Sequence, residues 1–251
     1  MLKILRAAEV LFFLALFGAG AVILRYSAML IVLIFIKDRG KQLKICSNIL
    51  RHVWKFYLLL LKICRLVQIK LNDKEKIKNI KGSIIVANHP SLLDIVILTA
   101  LIPYTTCFAA EKNGRNIFFK STADLLFIVK SGNIEEWIAK ASKFAEQEFN
   151  IVIFPAGSRH AIDEHPRLHR GAALLAQKIE KNIEVLKIEN SFDFLAKNKP
   201  AYRISKEPVK YTISYAGAID VKALMKKCTD EAELHSLITK QMSGYLYEMK
   251  R

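Results

Sequence analysis

A chain of 251 residues can bury one substantial core with a short appendage, and it leaves little room for two independent domains. The composition is oily and basic together, with 52% apolar residues and 39 Lys and Arg against 23 Asp and Glu, a formal net charge of +16. That excess points to nucleic acid, to an anionic membrane surface or to a merely solvated basic face, while the four cysteines show no CxxC pairing, no metal spacing and no disulfide framework.

Between Ala7 and Ile36 only Glu9 and Arg25 carry charge. Arg25 divides this run into residues 10–24 and 28–36, and neither half reaches the ~18 apolar residues expected of a spanning helix. A tilted span, a re-entrant pair and an interfacial helix all remain open. A cleaved signal peptide competes for residues 1–20, given Lys3 and Arg6 ahead of the apolar run, but apolar character resumes after Arg25.

Cations follow at once: residues 37–81 hold thirteen Lys and Arg against three Asp and Glu. Placed beside the most apolar stretch, they favour lipid headgroups over nucleic acid, because each juxtamembrane cation contributes about 1 kcal/mol against an anionic leaflet. Residues 53–67 form a second apolar element, in which Lys55, Lys62 and Arg65 share a helical face. It suits a lipid-facing helix or an ordinary helix packed on a core.

After a polar, lysine-rich break at 72–82, short apolar runs alternate with amphipathic stretches, the α/β pattern of a mixed, mostly parallel sheet flanked by helices. Strands are expected at 83–87, 106–110, 125–130, 151–154, 184–188 and 209–215. One helix is signalled from Asn133, with Glu136 completing a capping box, to about Phe149. Others are expected at 92–101, at 170–181, where Ala172, Leu175, Ala176 and Ile179 share a face, and in a carboxy-terminal pair at 221–227 and 231–247. The expected organisation is a membrane-anchoring helical region over 1–70 and a catalytic domain over 71–251.

Two strand ends carry unusual polar residues. The first is Asn88-His89-Pro90-Ser91-Leu92-Leu93-Asp94, where an apolar strand stops and an apolar helix follows. Open α/β sheets put reactive groups at the carboxyl ends of strands. If the chain turns sharply at Pro90, Asp94 can reach back to one ring nitrogen of His89, and the other can take a proton from a hydroxyl. The second is Phe154-Pro155-Ala156-Gly157-Ser158-Arg159, where Pro155 stops a strand, Gly157 permits close backbone approach and Arg159 offers a planar fork to phosphate or carboxylate. Alone, that segment reads as a turn with a solvated arginine.

Together the two segments resemble the glycerophospholipid acyltransferase family, whose members include the lysophosphatidic acid acyltransferases. Residues 88–94 match its NHxxxxD motif, and residues 154–159 resemble its FPEGTR motif at the usual separation of about seventy residues. The resemblance covers about Gly82 to Glu189. It implies that His89 deprotonates the acceptor hydroxyl, that Asp94 holds His89 and that Arg159 contacts an acceptor phosphate. It further implies substrate contacts at Asn88, Pro155, Gly157 and Ser158, and, from weaker similarity around 112–130, at Lys112 and Lys130.

The implied reaction moves a fatty acyl group from acyl-CoA or acyl carrier protein to a lysolipid such as 1-acyl-glycerol-3-phosphate. No metal or redox cofactor is expected. The implied setting is an anionic membrane surface, a bacterial inner membrane with the site on its cytoplasmic side. Oxyanion donors are expected from backbone N–H groups near Gly157 and Ser158. Where the family has glutamate this chain has Ala156, which brings a lyso-ornithine lipid, a specialised glycolipid or a polyene lipid into view as acceptor.

Two other classes compete. A serine hydrolase would use Ser91 or Ser158 with His89, but the chain has no G-x-S-x-G elbow. A non-catalytic basic protein that binds membrane or nucleic acid would explain the charge, but its cations cluster beside oily helices and do not interleave with aromatics.

Overall fold

The amino-terminal apolar run folds as one uninterrupted helical rod. Helix α1 (Leu2–Leu24) passes through a π-helical turn (Arg25–Met29) into α2 (Leu30–Phe35), and Ser27 Oγ donates to the Ile23 carbonyl at 2.7 Å within that turn. Inserted residues of this kind widen a helix without ending it. Of the three alternatives left open by the sequence, the re-entrant pair needs a reversal at Arg25 that the rod does not make. Leu5–Phe35 spans 31 residues, with a mean hydropathy of 2.3 over its most apolar stretch, long and apolar enough to cross a membrane by length and composition. The computed structural model describes residues 2–110, 125–130, 133–161, 164–200, 203 and 205–248.

The rod packs one face on α3 (Arg39–Ile63). Phe17 stacks on Trp54 with ring centroids 4.8 Å apart, and the Tyr57 hydroxyl donates to the Phe13 carbonyl at 3.2 Å. Its other face leaves Phe12, Ile23, Ile31, Ile34 and Phe35 exposed. The basic stretch after residue 36 is itself helical, because Asp38 caps α3 by accepting the Lys41 N–H at 2.7 Å. The second apolar element thus begins much earlier than expected and ends before residue 67.

Among the described residues seven strands follow: β1 (Val67–Leu71), β2 (Ile84–Ala87), β3 (Thr105–Ala110), β4 (Ile128–Lys130), β5 (Asn150–Ile153), β6 (Ile183–Asn190) and β7 (Val209–Ile219). Helices α4 (Lys74–Lys78), α5 (Leu93–Leu101), α6 (Ile134–Glu146), α7 (Gly171–Lys178), α8 (Val221–Lys227) and α9 (Glu231–Tyr247) lie between and after them. The sheet order is β1-β7-β6-β2-β5-β3-β4. All neighbouring pairs are parallel except β6 with β7, so the sheet is mixed and mostly parallel, as the alternating pattern predicts. Every residue of β2 and β5 is buried, the mark of strands covered on both faces.

Three expectations need correction. Residues 125–126 are helical, and the strand expected at 125–130 is confined to Ile128–Lys130; an apolar run that short reads the same in either state. β1 was hidden in the gap between the second apolar element and the polar break, although Val67-Gln68-Ile69-Lys70-Leu71 alternates with period two. Because β1 pairs with β7 from Val67 to Leu71, the boundary drawn at residue 70 falls inside a sheet strand.

One local signal agrees with the structure. Asn133 caps α6 by accepting the Glu136 N–H at 3.0 Å. Near Gly217 the register of β6 with β7 shifts, and a Cβ there would collide with the Tyr245 ring. The order β6-β2-β5 gathers the carboxyl ends of three parallel strands, at Asn190, Ala87 and Ile153, along one edge. Both polar segments leave the sheet there.

Candidate active site

The first turn is locked onto the neighbouring strand before it reaches the imidazole. The Asn88 side chain extends the β2–β6 ladder: its Nδ2 donates to the Ile188 carbonyl and its Oδ1 accepts the Ile188 N–H, both at 2.7 Å. His89 then places Nδ1 2.7 Å from Asp94 Oδ2. Asp94 stands in the first turn of α5, where the helix macrodipole favours a carboxylate, and its Oδ2 also accepts the Ser91 N–H at 2.7 Å.

Asp94 is fully buried while the His89 side chain keeps 17% of its surface exposed. Burial pushes the Asp94 carboxyl above its ordinary range, against the pull of His89, the Ser91 N–H and the Arg159 charge. With Nδ1 committed to Asp94, Nε2 is the ring atom left to take a proton.

The second turn lies directly on the first. The Phe154 ring stacks on His89 with centroids 3.9 Å apart and planes 13° from parallel, and the His160 N–H donates to the His89 carbonyl at 3.1 Å. Gly157 has φ +72°, where a Cβ would fall 3.2 Å from His169 Cδ2, so both backbone and space favour glycine. Its N–H donates to the Phe154 carbonyl at 3.0 Å. The Gly157 N–H is therefore engaged within the turn, which corrects its expected part in oxyanion binding.

A third segment, which sequence reasoning missed, ties the two turns together from behind. The Leu195 carbonyl accepts from the Leu92 N–H at 3.2 Å and from Arg159 Nη1 at 2.6 Å. Leu195 itself is buried at φ +53°, a conformation a bulky side chain holds only when its surroundings impose it. Two residues on, Lys197 Nζ reaches Ser158 Oγ at 3.3 Å. Residues 191–197 run Ser-Phe-Asp-Phe-Leu-Ala-Lys, and nothing in their types or spacing signals this role.

The structure thus brings His89, Asp94, Asn88, Pro155, Gly157, Ser158 and Arg159 into one cluster. Gly157 and Ser158 are exposed, Arg159 is half-buried, and Pro155 is buried. Lys112 lies outside the described residues. Lys130 is placed by its backbone in β4 at the sheet edge, four strand positions from β6, and its side chain lies outside the described residues. Ser91, weighed as a nucleophile, is fully buried, and its hydroxyl donates to the Phe194 carbonyl at 2.8 Å. Phe154 and His160 join the cluster unforeseen, although both sit in or beside the second motif.

Comparison with known proteins gives three findings. The sequence model of a family described as Acyltransferase matches residues 68–188, the segment that carries both turns. The chain is 30% identical over 130 residues to the 1-acyl-sn-glycerol-3-phosphate acyltransferase of Helicobacter pylori (strain J99), a match taking in 49% of this chain and 55% of that one. It thus spans little more than half the length of that curated relative. Its fold is similar to the crystal structure of the 1-acyl-sn-glycerophosphate (LPA) acyltransferase PlsC from Thermotoga maritima, at a TM-score of 0.72 and 18% identity over 100% of this chain and 99% of that one.

Proposed function

We propose, from the match of an acyltransferase family model to residues 68–188, that this chain transfers a fatty acyl group from a thioester to the hydroxyl of a lysolipid of the 1-acyl-glycerol-3-phosphate type. One observation carries the reading: an imidazole at a strand end is held at 2.7 Å by a fully buried carboxylate. A carboxylate so placed fixes the tautomer and supports the imidazolium that forms when the ring accepts a proton.

His89 Nε2 takes the proton of the acceptor hydroxyl as its oxygen attacks the thioester carbonyl. The C–S bond then breaks, the thiolate leaves with the proton returned by the imidazolium, and an ester remains. No covalent enzyme intermediate is needed. Arg159, with one nitrogen on the Leu195 carbonyl, keeps the rest of its fork for an anionic headgroup. The rod over Leu5–Phe35 would hold the enzyme at the bilayer where such an acceptor resides, with the donor, acyl-CoA or acyl carrier protein, arriving from the cytoplasm.

Ala156 stands where the resembling motif has a carboxylate, and this favours testing acceptors beyond glycerol phosphates, lyso-ornithine lipid among them. The experiment is a panel of lysolipids offered to the full chain with acyl-CoA and with acyl carrier protein, with products read by mass spectrometry. Acylation of 1-acyl-glycerol-3-phosphate supports the reading. Acylation of only a non-glycerol acceptor moves it to that acceptor, and free fatty acid as the sole product contradicts it.

A further inference from the structure

Behind the His89–Asp94 pair stands a buried hydroxyl that no part of the proposed reaction uses. Tyr211 lies in β7 between β1 and β6, paired with Ile69 on one side and Asn190 on the other, and none of its surface is exposed. Its hydroxyl donates to Ser91 Oγ at 2.8 Å. Ser91 Oγ in turn donates to the Phe194 carbonyl at 2.8 Å and accepts the Leu93 N–H at 3.2 Å. A serine hydroxyl has one hydrogen and two lone pairs, so every bond it can make is made.

That saturated oxygen fixes the turn whose own N–H reaches Asp94. Asp94 Oδ2 is held by His89 Nδ1 and the Ser91 N–H, while its Oδ1 is buried without a hydrogen-bond partner among the described residues. With only one oxygen tethered, the carboxylate's aim depends on where the Ser91 N–H points. Resting on the acyltransferase reading above, we propose that Tyr211 is a positioning residue of the transfer, acting through Ser91 to aim the Asp94 carboxylate at His89. Burial and the nearby carboxylate both push the phenol far above its ordinary value, so it remains a donor throughout the working pH range.

The test is Tyr211→Phe in the full chain, assayed with 1-acyl-glycerol-3-phosphate and acyl-CoA. An Asp94 carboxylate free to turn holds His89 less well in its reacting orientation, so the chemical step slows while substrate binding is kept. We expect a kcat lower by about tenfold, with KM for both substrates within about twofold. In a Ser91→Ala background the same change should add nothing, because its route is already cut.

Val209→Ala, on the same strand and also buried, supplies the control: it lowers stability without lowering kcat. If Tyr211→Phe leaves kcat unchanged, or worsens Ser91→Ala by the full factor, Tyr211 only packs the core and the inference is overturned. A native chain that acylates no lysolipid would instead overturn the acyltransferase reading itself, which keeps the two failures apart.

Discussion

His89 and Phe154 lie face to face, 3.9 Å between ring centroids, the direct side-chain contact by which one motif rests on the other. Phe154 limits the tilt of the imidazole on one side while Asp94 fixes its rotation through Nδ1. A base displaced by even an ångström loses much of its effect. Phe154→Leu should therefore lower kcat by roughly tenfold with little change in either KM, and Phe154→Tyr should retain most of it. Steady-state kinetics check this; a Leu variant with native kcat would show that the stacking is incidental.

Asp94 sets a stability cost against its catalytic use. Its folded-state pKa lies above the unfolded value of about 3.9 because burial disfavours the charge. The fold therefore holds this proton more tightly than the unfolded chain does, and stability is lost as pH rises through the folded pKa. Asp94→Asn carries no such charge, so it should melt higher than the native protein at pH 8, by roughly 2–4 °C per kcal/mol gained. That advantage should shrink toward pH 4, and activity should be lost at every pH. Thermal melts that show Asp94→Asn below the native protein at pH 8 would contradict the direction.

Arg159 has two attachments, and its removal should show both. Arg159→Ala deprives the Leu195 carbonyl of its 2.6 Å donor, loosening the segment behind both turns. It also deprives an anionic acceptor of its partner. The expected result is a lower melting temperature together with a KM raised about tenfold for phosphate-bearing lysolipids only. Arg159→Lys should rescue little, since a point charge cannot serve two directions at once. An unchanged KM with a lowered melting point would leave the arginine a purely structural role.

The rod over Leu5–Phe35 presents Phe12 and Ile31 outward, 63% and 57% exposed, opposite the face that packs on α3. Replacing both by Glu should move protein from the membrane pellet to the supernatant without lowering its melting temperature. The shift should be larger in high salt, which screens the basic stretch that follows. Unchanged pelleting at both salt concentrations would make the exposed Phe56, Leu59 and Ile63 of α3 the principal anchor.

What could be read from the sequence was what is contiguous along the chain. A strand followed by Asn88-His89-Pro90 and a helix four residues on fixes the His89–Asp94 geometry within one turn, and Asn133 with Glu136 marks a helix start in the same local way. The hidden features act across long separations. Ser91 meets Phe194 at 103 residues and Tyr211 at 120, and no periodicity announces such contacts. The Leu195 carbonyl is a backbone group, so no side chain at that position could have advertised it. β1 was missed for another reason: one short strand following directly on a long helix blends into its apolar run.

Turnover of the His89→Ala chain, measured with 1-acyl-glycerol-3-phosphate and acyl-CoA beside the native protein and with equal melting temperatures confirmed, tests the central claim most directly. The account predicts a kcat reduced by about 10²-fold or more with the fold intact. A folded His89→Ala enzyme with near-native kcat would contradict it.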